Sequence, residues 1–147
     1  MKNKSSQELE PIRCVCTNIK MTSRAVGRAF DAAIEESGVN VVQYSILINI
    51  FRYQPIEQMR LAEHLDMERT TLYRALDVLA RRKLVKISPA DGLSKVVELT
   101  EMGRKVTKEA QKKWRGLHQG FIDKFGMKQL EELNELLQHI RNHFRDI

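Results

Sequence analysis

From Met67 to Arg82 the chain changes chemistry with the period of a helix: Leu72, Ala75, Leu76 and Leu79 fall on one side, Thr70, Arg74, Asp77 and Arg81 on the other. The pattern predicts an amphipathic helix with Tyr73 at the edge of its polar stripe. Asp66 is a residue type that caps such a helix, and Glu68, Arg69, Thr70 and Thr71 behind it are all hydrogen-bonding side chains. Upstream, Ile56, Met59, Leu61, Ala62 and Leu65 predict a shorter helix over 56–65, joined to the first through Asp66 alone. Downstream, Leu84 to Ile87 and Lys95 to Leu99 predict two short strands around Ser88-Pro89-Ala90-Asp91-Gly92, a stretch of turn-forming residues. The expectation is a helix-turn-helix followed by a basic hairpin, or wing.

On either side the chain reads as helix. Pro11 suits a first helical position, and Ile12, Val15, Cys16, Ile19, Val26, Phe30, Ala33 and Ile34 form an apolar stripe that stops near Ser37-Gly38. A helix of that extent has about 27 residues and spans about 40 Å. Asn40 followed by Gln43 predicts a capping box opening a helix over Val41–Tyr53, which ends at Gln54-Pro55. Thr100 caps a long helix with Val106, Ala110, Trp114, Leu117, Phe121 and Phe125 on its apolar face. Past Gly126, a last helix carries Leu130, Leu133, Leu137, Ile140 and Phe144. The fold class expected is mainly α with a small β-hairpin: a winged helix-turn-helix with N- and C-terminal dimerisation helices. The 147 residues make one domain. Within it, 38–100 form the DNA-binding module, and 10–37 and 101–147 the dimerisation helices.

The polar stripe carries the functional reading. A recognition helix meets base edges with its N-terminal residues, where Arg pairs bidentately with guanine and Thr or Tyr hydroxyls take bases or phosphates. The candidate contacts to double-stranded DNA are therefore Glu68, Arg69, Thr70, Thr71, Tyr73, Arg74, Asp77 and Arg81 on the helix, with Lys86 and Lys95 on the wing. Arg81, Arg82, Lys83 and Lys86 follow one another without an intervening acid. A net charge of +6 agrees with a polyanionic partner without demanding one. The terminal helices carry more apolar surface than the winged module can cover, so a second copy is expected to cover it. A two-fold homodimer places two recognition helices about 34 Å apart on a pseudo-palindromic operator. The rival reading is a winged module that binds only protein, which lacks the steep salt dependence of phosphate contacts.

Other classes find little support. No nucleophile–base pair, glycine-rich phosphate loop or paired-carboxylate motif stands in the chain, so neither an enzyme nor a cofactor is expected. No apolar run is long enough for a bilayer, and Met1 to Glu10 lacks the apolar core of a signal peptide. A cytoplasmic protein without a membrane partner is expected. His139 and His143 have a spacing that can hold a metal from one helix, yet both lie off the apolar stripe and read as solvent-facing. His64, just before the turn, suits packing or a phosphate contact.

The order helix, helix, helix-turn-helix, wing, long helix, helix resembles the MarR family of bacterial transcriptional regulators over essentially the full length. The resemblance rests on Leu61-Ala62-Glu63, Leu65, the run from Met67 to Leu72, Arg74, Leu84-Val85, Asp91-Gly92, Leu99-Thr100 and Gly103. It implies an obligate homodimer built from the terminal helices, a recognition helix in the major groove and a wing in the minor groove. It also implies repression lifted when a small molecule or an oxidant alters the dimer. A small aromatic or phenolic effector is implied at the junction where Tyr44 and Trp114 are expected to meet, an aromatic pair that otherwise reads as core. One position departs from the pattern. The family often carries an arginine two residues after the wing aspartate; here Leu93 stands there and Lys95 is the nearest basic residue, so this wing is expected to grip phosphates.

A branch of the family senses organic hydroperoxides through a cysteine near the start of the first helix, and that position falls on Cys16, with Ser23-Arg24 also matching. A thiol-based oxidant-sensing repressor using Cys16 is thus the alternative to small-molecule release. The tyrosines that surround the sensing thiol in that branch correspond to Lys20 and Phe30, which removes two hydroxyl partners, while Lys20 one turn on favours a thiolate. Otherwise Cys16 is a small buried apolar residue on the stripe. Cys14 and Cys16 are expected as thiols. If both lie inside the helix they point about 160–200° apart and cannot bridge without unwinding it.

Overall fold

The computed structural model describes residues 14–145. Helix α1 (Val15–Ile34) opens at Cys14, whose backbone is extended (φ −62°, ψ 112°) and whose side chain makes no capping bond. The helix is 20 residues long, shorter than expected. Cys14 sits at its boundary and not on one of its faces, and Pro11 and Ile12 lie outside the described residues. A 3-10 turn, Glu35–Ser37, ends the helix at Gly38, whose φ of 78° is the left-handed conformation that glycine adopts without a Cβ penalty.

Helix α2 (Val41–Tyr53) begins with the expected capping box: Asn40 Oδ1 accepts from the Gln43 N–H at 2.8 Å, and Gln43 Oε1 accepts from the Asn40 N–H at 3.2 Å. A third bond, from the Val41 N–H to Asp31 Oδ1 at 2.6 Å, ties α1 to α2.

Strand β1 (Ile56–Glu57) and helix α3 (Gln58–Leu65) follow. Ile56 therefore belongs to a sheet and not to the positioning helix. It pairs with Val97 and is buried there, so the wing is a three-stranded antiparallel sheet of order β1-β3-β2, with β2 at Val85–Pro89 and β3 at Lys95–Leu99. A β-branched residue is already biased toward extended backbone, and burial against Val97 completes the preference.

The turn between the two helices also differs from expectation. Asp66 does not cap the recognition helix; it closes α3 in the left-handed region at φ 52°. Its N–H bonds to Glu63 O at 3.2 Å and the Met67 N–H bonds to Ala62 O at 2.9 Å, a Schellman closure that a short polar residue tolerates. Helix α4 consequently starts two residues later than expected and runs Arg69–Arg81, with Glu68 as N-cap. Its far end closes the same way at Lys83 (φ 59°), with Leu84 N–H on Leu79 O at 2.9 Å.

Leu61, Leu72, Leu76 and Leu79 meet Ile46, Leu47, Ile50 and Val97 in a fully buried core. Helix α5 (Glu101–Phe125) leaves this core at Thr100, whose Oγ1 accepts from the Gly103 N–H at 2.9 Å and donates to Lys83 O at 2.6 Å. Gly103 lies so close to β2 that a Cβ there would overlap the Leu84 carbonyl oxygen.

Helix α6 (Met127–Arg145) folds back along α5. Arg145 Nη2 ends 3.6 Å from Asp66 Oδ1, at the helix-turn-helix turn. None of the residues of α6 is buried in the single chain, and α1 buries only Ile34. A groove of about 460 Å3 runs between α1, α5 and α6, lined by apolar side chains including Ile19, Val26, Phe121, Leu130 and Leu133. Among the described residues no helix is long and apolar enough to cross a membrane.

Candidate nucleic-acid interface

Three fully buried leucines, Leu72, Leu76 and Leu79, fix the rotation of α4 about its axis. The remaining face is then forced outward. Glu68, Arg69, Thr70, Thr71, Tyr73, Arg74, Asp77 and Arg81 all reach solvent. Because the helix starts at Arg69, its unpaired N–H groups and the positive end of its dipole lie beside the Thr70 and Thr71 hydroxyls. The surface offers guanidinium donors for guanine or phosphate, hydroxyls for either, and the Glu68 and Asp77 carboxylates as acceptors suited to a cytosine amine.

Arg82 does not join this surface, although the sequence grouped it with the basic run. Its Nη2 donates to Gly38 O at 2.5 Å and its Nη1 to Gln43 Oε1 at 3.3 Å, clamping the end of α4 to the start of α2.

Lys86 and Lys95 are exposed on the wing. The register pairs Lys86 with Glu98 and Pro89 with Lys95, so strand alternation sends the two lysines to opposite faces of the ribbon. Between the wing, α3 and α4 opens a cleft of about 520 Å3 lined by Gln58, Met59, Tyr73, Asp77, Leu93 and Lys95. Gln58 and Met59 were not nominated from sequence. Only the tertiary placement of α3 brings them to this cleft, and no local pattern marks them.

A second cluster forms where α1, α2 and α5 meet. The Trp114 ring lies 6.3 Å from that of Tyr44 and 6.2 Å from that of Phe30, and it stacks on His118 at 4.6 Å. Tyr44 is buried, and burial raises its hydroxyl above the ordinary phenol range, partly offset by the positive charges of Arg52 and Arg115. The structure thus brings Tyr44 and Trp114 together as expected. It leaves the cysteines apart from them: Cys14 and Phe30 bracket a helical stretch of about 24 Å.

Both thiols are exposed, so Cys16 is not buried on an apolar stripe in the single chain. Cys14 is held below the ordinary thiol value, first by a hydrogen bond to its sulfur from the Thr17 side chain, then by that from the Thr17 backbone, with smaller help from Lys20. Lys20 was expected to act on Cys16; its field reaches Cys14. Since Cys14 lies outside the helix, the angular argument against a Cys14–Cys16 bridge does not apply. His139 and His143 are exposed, and His64 packs edge-on against Tyr53 at 4.7 Å.

No family model matches the chain. Solved structures do. The transcriptional regulator MosR of M. tuberculosis is 29% identical and superposes with a TM-score of 0.77, covering 89% of this chain and 98% of its own. A second MosR structure, in complex with DNA, gives 0.74 at the same 29% identity, over 87% and 98%. A MarR variant from E. coli complexed with operator DNA gives 0.80 at 20% identity, over 92% of this chain and 99% of that one. In sequence, the uncharacterized HTH-type transcriptional regulator YhbI of Bacillus subtilis (strain 168) is 26% identical over 121 residues, 78% of this chain and 79% of YhbI.

The chain has a MarR-type winged helix-turn-helix fold. Within that fold α4 is the second helix of the helix-turn-helix and β2-β3 the wing. The same architecture includes α1, α5 and α6; α5 packs on α2, while much of the apolar surface of α1 and α6 stays exposed in the single chain.

Proposed function

We propose that the chain is a transcriptional regulator that binds double-stranded DNA sequence-specifically, as a homodimer on a pseudo-palindromic operator. One observation carries the reading: α4 buries Leu72, Leu76 and Leu79 completely while holding Thr70, Arg74, Asp77 and Arg81 in solvent on its opposite side. Residues 38–100 form the reading head. The DNA complexes of MosR and of the MarR variant support it, because this chain superposes on them over 87% and 92% of its length. A second copy covers the exposed apolar positions of the terminal helices, among them Val15, Ile19 and Val26 on α1 and Leu133, Leu136 and Phe144 on α6.

The regulator acts as a repressor, released when a small aromatic or phenolic effector settles against Trp114 and Tyr44. That cluster joins α1, α2 and α5, so a ligand wedged there changes the angle between the dimer block and the reading head. Arg52 and Arg115 near the Tyr44 hydroxyl favour an effector carrying negative charge.

The exposed, thiolate-prone Cys14 supports a second reading, oxidative release. A hydroperoxide transfers one oxygen to the thiolate, giving a sulfenic acid and an alcohol. Condensation with a second thiol, such as Cys16, then expels water and closes a disulfide.

Selection of duplexes from a random library by the full-length protein tests the principal reading. Light scattering on the complex should give two chains per enriched site. Failure to enrich any sequence, or a single chain per duplex, would remove it.

A further inference from the structure

We propose that Arg145, on the last turn of α6, is a positioning residue for DNA binding: through Asp66 it holds the turn between α3 and α4, so that the C-terminal helix helps to present the start of α4. The proposal rests on the DNA-binding reading above.

The turn runs from Asp66 to Glu68, and its own side chains do little to fix where α4 begins. Asp66 sits at φ 52°, a conformation that a non-glycine residue takes at a cost, and Glu68 occupies the N-cap position of α4 without a side-chain capping bond. Among the described residues, the one cation within ion-pair distance of the Asp66 carboxylate is Arg145, whose Nη2 lies 3.6 Å from Asp66 Oδ1. A side chain from the far end of the chain thus supplies what the helix-turn-helix lacks locally.

Two further observations give the contact its place. A cleft of about 640 Å3 separates the turn and the start of α4 from the end of α6, and Glu63, Asp66, Glu68, Arg69, Thr70 and Arg145 line it. Three carboxylates face two guanidiniums there, so losing the Arg145 partner leaves Asp66 as uncompensated negative charge beside Arg69 and Thr70, which on the DNA reading meet the duplex. Phe144, next to Arg145, is 64% exposed in the single chain. On the dimer reading a second copy covers it, so the subunit contact ends one residue from the ion pair and assembly reaches the turn through one guanidinium. The pair is itself half-exposed, and its effect on binding is correspondingly modest.

The test is a double-mutant cycle on the full-length protein with Asp66→Asn and Arg145→Ala, read by affinity for a duplex enriched from a random library. Asparagine keeps the left-handed turn accessible, so the backbone at position 66 is preserved. Arg145→Ala should weaken binding about fivefold, with melting temperature and assembly by light scattering unchanged. In the Asp66→Asn background the same substitution should cost no more than about twofold. An equal loss in both backgrounds would make Arg145 a phosphate contact and overturn the positioning role. Wild-type affinity in Arg145→Ala, or a loss that follows dissociation into single chains, would overturn it as well, while the DNA reading stands. Wild-type protein that binds no duplex would remove the DNA reading and this proposal with it.

Discussion

Arg82 reaches across from the end of α4 to the carbonyl oxygen of Gly38, donating from Nη2 at 2.5 Å, and so fastens α4 to the turn that closes α1. Its second bond goes to Gln43 Oε1 at 3.3 Å, the side chain that also completes the α2 capping box. Three helices are coordinated by one guanidinium.

Arg82→Ala should therefore lower stability by about 1 kcal/mol, a modest figure because both bonds are exposed. Urea denaturation should show a lower midpoint at unchanged m. The salt slope of DNA binding should stay the same. An unchanged midpoint with a slope reduced by about 0.9 would make Arg82 a phosphate contact.

Gly103→Ala should be worse tolerated than its helical setting suggests. Alanine is the better helix former, but its Cβ here overlaps the Leu84 carbonyl oxygen, which is backbone and cannot swing away. A loss of about 1–3 kcal/mol is expected from forced separation of α5 and β2. Thermal denaturation checks it, and a stabilised variant would mean that the two elements are not in close contact.

How much of this was legible beforehand follows the range of each interaction. The capping box at Asn40 and Gln43 spans three residues, and the leucine stripe of α4 repeats within one helix, so both stood in the sequence. Ile56 was misplaced because its partner, Val97, is far along the chain and nothing local marks a two-residue strand. Asp66 misled for a different reason: the same residue type serves an N-cap and a left-handed helix end, and the Ala62 and Glu63 carbonyls claimed the turn. The partners of Arg82 were invisible, since a clamp and a phosphate contact share one composition.

The thiols give a pH-dependent prediction. A depressed pKa leaves Cys14 as thiolate at pH values where an ordinary thiol is protonated, so its alkylation should stay fast as pH falls below the ordinary thiol value. Thr17→Val removes the side-chain hydrogen bond that contributes most and should move the midpoint of the rate profile upward. Mass-spectrometric mapping of labelled peptides across pH measures both. A profile at or above the ordinary thiol value, unmoved by Thr17→Val, would remove the basis for oxidative release through Cys14.

Lys86→Ala and Lys95→Ala should each weaken binding to selected and random duplexes alike, because a point charge on a phosphate carries no base information. Each should flatten the salt slope by about 0.9. Loss of selectivity without a change in slope would place that lysine on a base instead.

The claim that the exposed face of α4 reads bases is tested most directly by the affinity ratio between an enriched duplex and a scrambled one, measured for wild type and Arg74→Ala. Arg74 lies mid-stripe, between the helix start and Asp77, exposed while Leu72, Leu76 and Leu79 of the same helix are fully buried. The account predicts an intact fold and oligomer, with the ratio falling about 5- to 150-fold, the loss of about 1–3 kcal/mol expected for one bidentate base contact. An Arg74→Ala protein with unchanged affinity and an unchanged ratio would contradict it.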